Sequence, residues 1–207
     1  MNTAFISVDI QNDYFKGGRN ELYHPDQALT HAQEALALFR EKNLPIIHIQ
    51  CILLDEQAAF FLPGTEGIHI HEGVKPRSDE KVIVKHTPDS FFQTELQAHL
   101  ESIQAKRLVI CGMMSHICID STVRSASRLG YEVVLLDDAC ATRDLEWNGT
   151  VIPAQTVHDV FMASLQGTFA QVIPASSLRD MIRHKLQQQM IRGCHCPGFF
   201  FTAFLRH

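Results

Sequence analysis

The chain has 207 residues, of which 45% are hydrophobic, and a net charge of −5 at pH 7. These values are typical of a single globular domain with a substantial core. The 18 basic residues are scattered, which argues against a nucleic-acid-binding face, and no run approaches the roughly 20 apolar residues of a membrane span. We therefore expect a protein that acts on a small-molecule substrate, with neither nucleic acid nor a membrane as its partner.

The N-terminus and the cysteines indicate a cytoplasmic protein. Residues 1–4 lack a charged flank and lead directly into a strand pattern, unlike a signal peptide. Six cysteines stand at positions 51, 111, 118, 140, 194 and 196. Four of them lie in or beside apolar runs, which is not the pattern of a disulfide framework. We therefore predict reduced thiols and a cytoplasmic location.

The first elements in the chain are a strand, a helix and a second strand. Residues 5–8 are a short β-rich run that stops at Asp9 and is followed by a polar, Gly-rich loop at 10–18. Apolar residues then recur with helical spacing from Pro25 to Lys42. A second strand is predicted at 44–50. This order implies a parallel pair of strands joined by a right-handed crossover.

Residues 51–80 interrupt the alternation of strands and helices. The length of this segment favours an active-site loop or lid that carries aromatic residues. After it we predict a third strand at 81–84, which ends at Lys85, a helix from Phe91 to about Ser102, and a fourth strand at 107–111. The remaining predicted elements are a helix from Cys118 to about Leu129, a fifth strand at 131–136, a helix at 154–169, a sixth strand at 171–173 and a final helix at 178–191.

Alternation of helices with continuously apolar strands predicts an α/β protein, a three-layer α/β/α sandwich with a parallel sheet. No repeat or composition shift divides the chain, so residues 1–191 are predicted to form one domain. The tail at 192–207 contains Cys194, His195 and Cys196 before an apolar run. Two Cys and one His are weak evidence for a metal. We expect the tail to dock on a neighbouring subunit or to be disordered.

Three chemically potent residues follow or end predicted strands: Asp9, Lys85 and Cys118. Each also has a plain interpretation, as a cap or turn residue, a snorkelling surface lysine and a small core residue. Cys118, however, stands where a strand passes into the N-terminus of a helix, whose free N–H groups favour a thiolate. Parallel sheets bind ligands at the carboxyl ends of their strands. All three residues are therefore expected at the same edge of the sheet, which favours a reactive site.

The residues that surround these three resemble the isochorismatase-like cysteine hydrolase superfamily. The resemblance rests on Val8–Tyr14, Val84-Lys85, Ser90–Leu96, Gly112–Cys118 and Thr122, in the right order and spacing, within a match from about residue 3 to 175. It implies a Rossmann-like six-stranded parallel sheet of order 3-2-1-4-5-6. It also implies a catalytic triad of Asp9, Lys85 and Cys118.

The resemblance further implies a cis peptide bond between Met113 and Met114. The N–H groups of Met114 and Cys118 would then form an oxyanion hole. In the mechanism that follows, Lys85 lowers the pKa of Cys118, and Asp9 takes the thiol proton as general base. The thiolate attacks a carbonyl carbon, Asp9 protonates the leaving amine, and water hydrolyses the thioester.

One departure from the family concerns metal binding. The nicotinamidase branch carries an Asp-x-His motif just after the second strand, where this chain has Gln50-Cys51-Ile52. His69 and His71 lack a partner acid at the right place and are interpreted as surface polar residues. We therefore predict no metal and no other cofactor, which disfavours nicotinamidase activity.

Substrate contacts are predicted from loop residues near the strand ends. Core packing is the alternative for each of the aromatic residues in this set, and the resemblance also suggests a homodimer or a larger homo-oligomer. The predicted contacts are Gln11, Tyr14, Phe15, Phe60, Phe61 and Phe91.

The sequence leaves three functional hypotheses. The first is hydrolysis of a C–N bond in a small amide or ureido compound, which the intact set of Asp9, Lys85 and Cys118 favours. The second is vinyl-ether hydrolysis of an isochorismate-like substrate on the same fold. The third is a non-catalytic interaction protein, with thiol sensing by Cys118 as a variant.

Overall fold

A computed structural model of the chain describes residues 2–55 and 57–182. Six of its strands form one sheet with the order β3-β2-β1-β4-β5-β8, in which every pair is parallel, while β6 and β7 form an antiparallel hairpin. The strands are β1 (Asn2–Val8), β2 (Ile46–Cys51), β3 (Lys81–Lys85), β4 (Ala105–Met113), β5 (Glu132–Ala141), β6 (Leu145–Trp147), β7 (Thr150–Ile152) and β8 (Gln171–Ile173).

Helices cover both faces of the sheet. They are α1 (Pro25–Glu41), α2 (Leu96–Ser102), α3 (Asp120–Arg128) and α4 (Ala154–Leu165). The α1 helix packs against one hydrophobic cluster, and the other three helices contribute to a second. The predicted three-layer fold and strand order are confirmed, with β8 as the predicted sixth strand.

The apolar strands are continuous because successive side chains supply the two faces in turn. Phe5 and Val109 belong to the cluster under α1, whereas their neighbours Ile6 and Ile110 belong to the cluster on the opposite face. All four are 0% exposed. Burying each such side chain stabilises the fold by roughly 1.5–3 kcal/mol, so a polar residue at any of these positions would disrupt one layer.

Gly112 lets β4 pass close to β1 just before the functional region. Its φ is +133°, and a Cβ atom there would collide with the carbonyl oxygen of Val8. Val8 and Gly112 are register partners. The residue after Val8 is therefore held beside the turn that follows β4.

Several predicted boundaries are wrong for local reasons. The helix predicted from Phe91 begins at Leu96, because Gln93 has a left-handed φ of 55° and Asp89 accepts the N–H of Phe91 at 2.9 Å. The helix predicted from Cys118 begins at Asp120, after a π-helical turn at Ser115–Ile119.

Further corrections concern the second half of the sheet. The β5 strand continues to Ala141, because after a register shift Cys140 pairs with Gly112 and Ala141 with Met113. The β6–β7 hairpin was not predicted from the sequence. Its turn residues Asn148 and Gly149 have positive φ values of 50° and 75°, and Asn-Gly is a strong hairpin signal.

The last predicted helix is described only in part. Residues 178–182 are helical, and Leu178 and Ile182 pack into the cluster under α1. The rest of that helix and the tail at 192–207 lie outside the described residues, so the predicted domain boundary stays a prediction. Within residues 2–55 and 57–182, none of the helices has both the length and the apolar character that crossing a bilayer requires.

Candidate active site

Asp9 and Lys85 form a buried ion pair at the carboxyl edge of the sheet. Asp9 follows β1 and Lys85 ends β3. Oδ2 of Asp9 lies 2.8 Å from Nζ of Lys85, and both side chains are 0% exposed. Lys85 also donates a 2.8 Å hydrogen bond to the carbonyl oxygen of Pro88. The ammonium therefore has two fixed acceptors away from bulk water.

Cys118 completes this cluster from the turn between β4 and α3. It is 6% exposed, and the negative charge of Asp9 acts on the pKa of its thiol. The structure thus brings Asp9 and Lys85 into contact and places Cys118 near enough for the three residues to affect one another's pKa. A thiol, a carboxylate and an ammonium that are grouped in this way can exchange a proton within the cluster.

Burial dominates the electrostatics of the cluster. It raises the pKa of Asp9, and the charge of Lys85 lowers that pKa only in part. Burial and the negative charge of Asp9 raise the pKa of Cys118 well above its ordinary value, against the opposing effect of Lys85. The prediction that Cys118 has a lowered pKa is therefore wrong for the free protein. In the free protein these effects favour the thiol form of Cys118.

The turn that carries Cys118 is fixed by backbone hydrogen bonds. It follows a cis peptide bond between Met113 and Met114. The carbonyl oxygen of Met114 accepts the N–H groups of Ile117 at 3.1 Å and Ile119 at 3.2 Å. The chain is thereby folded tightly on both sides of Cys118.

The Ala141 carbonyl at the end of β5, the next residue Thr142, and His158 of α4 also hold the same turn. Oγ of Ser115 donates to the carbonyl oxygen of Ala141 at 3.3 Å and lies 2.9 Å from Nδ1 of His158. Nδ1 of His116 lies 2.5 Å from Oγ1 of Thr142. Sequence reasoning missed His158 and Thr142, because neither lies near Cys118 in the chain and neither belongs to the matched motifs.

A hydroxyl network fixes the segment that follows Lys85. Oγ of Ser90 lies 2.8 Å from Oγ1 of Thr122, and Ser125 donates to Asp89 at 2.6 Å. These contacts tie residues 88–90 to α3. They therefore hold the Pro88 carbonyl that binds Lys85.

Tyr14 is a predicted aromatic contact whose pKa responds to the reactive cluster. Burial raises its pKa, and the charges of Cys118 and Asp9 raise it further. Its ring centroid lies 4.6 Å from that of Phe61 and 5.7 Å from that of Phe60. Phe60 is half-buried. Tyr14 and Phe60 remain candidates for the pocket wall.

Gln11, predicted as a substrate contact, instead fastens the loop after β2. It is fully buried. Its Nε2 donates to the carbonyl oxygens of Cys51 and Ile68 at 2.8 Å each. Its Oε1 accepts the N–H of Cys51 at 2.7 Å. Backbone groups take up the hydrogen bonds of the Gln11 amide, so the residue has a structural role.

Three of the predicted aromatic contacts pack elsewhere. Phe61 is 0% exposed and belongs to the core. Phe15 packs on His71 with ring centroids 4.1 Å apart. Phe91 stacks on Tyr131, which follows α3 at the end remote from Cys118. For these residues the core-packing alternative is correct.

Asp13 organises the loops around the pocket and was not predicted as a functional residue. Its carboxylate accepts the N–H groups of Phe61 at 2.6 Å and Arg19 at 3.1 Å. A Cβ atom at Gly67 would collide with it. Asp13 therefore joins three loop segments in one contact, and its place inside the matched motif was the available signal.

The predicted absence of a metal is not tested by this geometry. Nδ1 of His69 lies 3.0 Å from Glu66, and Nδ1 of His71 accepts the N–H of Gly73 at 3.1 Å. In the described part of the chain no group of three or more His, Cys, Asp or Glu side chains is arranged to hold a metal ion.

A parallel α/β sheet with a buried thiol, carboxylate and ammonium at its carboxyl edge defines the class of α/β cysteine hydrolases. Residues 3–177 match the isochorismatase domain. The chain therefore belongs to the isochorismatase family, which the sequence resemblance had indicated.

Individual relatives agree with this assignment. The uncharacterized isochorismatase family protein YddQ of Bacillus subtilis is 48% identical over 172 residues, which cover 83% of this chain and 96% of YddQ. The solved structure of an isochorismatase from Pseudomonas putida has a TM-score of 0.80 and 34% identity, and the match covers 85% of this chain and 89% of that one. The ureidoacrylate amidohydrolase RutB of Acinetobacter baylyi is 28% identical over 142 residues, or 67% of this chain and 54% of RutB.

Proposed function

We propose that this protein cleaves a C–N bond of a small amide or ureido compound through a thioester on Cys118. The observation that carries the proposal is the 2.8 Å pair of Asp9 and Lys85 in a buried cluster whose two charges also act on the pKa of the buried Cys118 thiol. The family includes enzymes that hydrolyse amides, such as the ureidoacrylate amidohydrolase. We also propose that the enzyme works without a metal, as a cytoplasmic homo-oligomer.

In the first step Asp9 takes the proton of the Cys118 thiol. Its raised pKa makes it a stronger base than an exposed aspartate. Lys85 remains charged, because Asp9 and Cys118 raise its pKa against the opposing effect of burial. The ammonium therefore balances whichever of the two anions is present, and proton transfer leaves the charge of the cluster unchanged.

The thiolate then attacks the carbonyl carbon and forms a C–S bond. The backbone N–H groups of Met114 and Cys118 hold the resulting oxyanion. Asp9 returns its proton to the substrate nitrogen, the C–N bond breaks, and ammonia or an amine leaves. Water, deprotonated by Asp9, attacks the thioester and releases the acid together with the free thiol.

The proposal is tested by ammonia release from a panel of small amides and ureido acids. Wild type is compared with Cys118→Ala and with the matched control Cys140→Ala, a buried free cysteine outside the cluster. We expect release from at least one compound that is lost in Cys118→Ala and kept in Cys140→Ala. Turnover retained in Cys118→Ala would contradict the nucleophile. Hydrolysis of a vinyl ether in place of every amide would contradict the reaction class.

A further inference from the structure

One face of α4 contacts the turn that carries Cys118. His158 and Phe161 are three residues apart in this helix, a spacing that puts their side chains on the same side of it. Nδ1 of His158 lies 2.9 Å from Oγ of Ser115. The ring of Phe161 meets that of His116 edge-on, with centroids 6.0 Å apart. The first two residues of the π-helical turn are therefore both held from α4.

The α4 helix is itself anchored, so its contacts with the turn have a fixed support. The N–H of its first residue, Ala154, donates a 2.8 Å hydrogen bond to the carboxylate of Asp144. Met162 and Leu165 are buried and pack into the hydrophobic cluster on the face of the sheet opposite α1. A side chain on such a helix can position a neighbouring group more precisely than one on a loop.

The hydrogen bonds of Ser115 assign the proton on His158. The carbonyl oxygen of Ala141 can only accept, so the single hydroxyl proton of Ser115 is donated to it, at 3.3 Å. The bond to His158 then runs from Nδ1–H to Oγ of Ser115. Burial lowers the pKa of His158, although Asp159 and Asp137 oppose this effect. The neutral imidazole with its proton on Nδ1 is therefore favoured.

We propose that His158 is a positioning residue that acts through Ser115 on the oxyanion contacts of the reaction. The inference rests on the proposed function, in which the N–H groups of Met114 and Cys118 hold the oxyanion. Ser115 directly follows Met114 and begins the turn that contains Cys118, and it is 0% exposed. Two hydrogen bonds to its hydroxyl fix the backbone between the two N–H groups. Donors that are already oriented stabilise a developing negative charge best.

His158 acts on the turn from the side away from the reactive cluster. It borders a cavity of about 310 Å³ whose walls come from the start of α1, the end of β5 and the first turns of α4. Among the residues that the structure describes, Asp9, Lys85 and Cys118 do not line this cavity. A change at His158 should therefore affect kcat for a hydrolysed amide and leave KM close to its wild-type value.

The test compares two reactions of Cys118, of which only one develops an oxyanion. p-Nitrophenyl acetate acylates the thiolate through a tetrahedral intermediate, from which p-nitrophenolate leaves. Iodoacetamide alkylates the same thiolate by displacement of iodide at a saturated carbon. The quantity measured is the ratio of the acylation rate to the alkylation rate at one pH, followed on the peptide that contains Cys118. Both reactions require the thiolate, so a change in its ionisation cancels in the ratio.

We expect His158→Leu and Ser115→Ala each to lower this ratio by roughly 10-fold, the effect of one lost hydrogen bond on a transition state. The double variant should have the ratio of Ser115→Ala, since both substitutions remove the same bond. His158→Asn keeps an N–H donor near the position of Nδ1 and should restore most of the ratio. His99→Leu, at a half-buried histidine of α2, is the control and should keep the wild-type ratio.

Several results would overturn the inference. Equal falls of acylation and alkylation in His158→Leu would indicate a general disturbance of the turn. A ratio in His158→Asn as low as that in His158→Leu would exclude the hydrogen bond as the cause, as would losses that multiply in the double variant. If circular dichroism shows that His158→Leu does not fold, a wild-type ratio in Ser115→Ala decides against the inference.

The same measurement separates this inference from the proposed function. Neither probe depends on which amide the enzyme hydrolyses, so the ratio tests His158 even if no amide in the panel releases ammonia. A wild-type ratio no higher than that of N-acetylcysteine would show that the turn offers no oxyanion contacts, and the role of His158 would then fall whatever the panel shows. Loss of the ratio in His158→Leu without ammonia release would contradict only the proposed substrate class.

Discussion

Oδ2 of Asp9 and Nζ of Lys85 are 2.8 Å apart in a region that excludes water from both side chains. Desolvating two charges is costly, and their attraction offsets that cost only while both partners are present. The pair therefore links stability to catalysis: Lys85 limits the rise that burial causes in the pKa of Asp9, the proposed base, and Asp9 in turn raises the pKa of Lys85.

Removal of one partner should destabilise the fold more than removal of both. We expect Lys85→Met to lower the free energy of unfolding by about 3–5 kcal/mol, because it leaves the Asp9 carboxylate buried and unpaired. The Asp9→Asn/Lys85→Met double variant should recover most of this loss while remaining inactive. Urea unfolding followed by circular dichroism measures the effect. A Lys85→Met variant as stable as wild type would contradict the buried pair.

The pH dependence of alkylation tests the state of the thiol. Because burial and Asp9 raise the pKa of Cys118 above 9.0, iodoacetamide should modify this residue slowly at pH 7 and faster only in alkaline solution. Asp9→Asn removes a negative charge, so it should shift the profile to lower pH. Lys85→Met removes a positive charge and should shift it to higher pH. Peptide mapping isolates Cys118 from the other thiols. Full reactivity of wild type near pH 6 would contradict the assigned resting thiol.

Thr122 should influence turnover without touching the substrate. Its hydroxyl holds Ser90, and through residues 88–90 the carbonyl that binds Lys85. We expect Thr122→Val to lower kcat by roughly 10-fold, about the effect of one lost hydrogen bond of ~1.4 kcal/mol. Thr122→Ser keeps the hydroxyl and should restore most of the activity. Equal kinetics for Val and Ser at this position would show that the network does not matter for the reaction.

Glu80 should make the fold acid-sensitive at a site remote from catalysis. Burial opposes its charge, but hydrogen bonds from Arg40, the N–H of Arg77 and His48 lower its pKa from 4.5 to about 2. A lowered folded-state pKa gives stability that is full above the unfolded value. That stability is lost as the pH falls from about 5 to about 2, up to roughly 3 kcal/mol.

Glu80→Gln should remove this part of the pH dependence. The difference in the free energy of unfolding between wild type and the variant should be largest near pH 7 and shrink steadily below pH 5. Glu146→Gln, at an exposed position in β6, is the control and should follow the wild-type curve. A constant difference between wild type and Glu80→Gln from pH 7 to pH 3 would contradict the shifted pKa.

The sequence predicts the three reactive residues because they depend on local signals, whereas the sheet order is predicted from the family resemblance. Continuous apolar runs mark buried strands. A charged residue at the end of such a run can be recognised in the sequence without knowledge of the tertiary structure. Asp9 and Lys85 could therefore be selected although they are 76 positions apart. Their contact is a tertiary property, since they belong to the ends of β1 and β3, which lie on either side of β2.

Burial of the assembled site is a tertiary property, and the failed predictions depended on it. The position of Cys118 before a helix suggests a lowered pKa, yet desolvation outweighs that effect once the fold closes around it. Gln11 and Phe61 lie in the right loops but face the core. His158 reaches the reactive turn from α4, 40 residues along the chain from Cys118, and no local pattern marks it.

The most direct test of the central claim is mass spectrometry of the enzyme quenched in acid during turnover of a hydrolysed amide. A thioester on Cys118 predicts a mass increase equal to the acyl group, located by digestion on the peptide that contains Cys118 and absent from Cys118→Ala. Hydroxylamine, which cleaves thioesters, should remove it. Turnover with no adduct on Cys118 under any quench time, together with activity in Cys118→Ala, would contradict covalent catalysis by this residue.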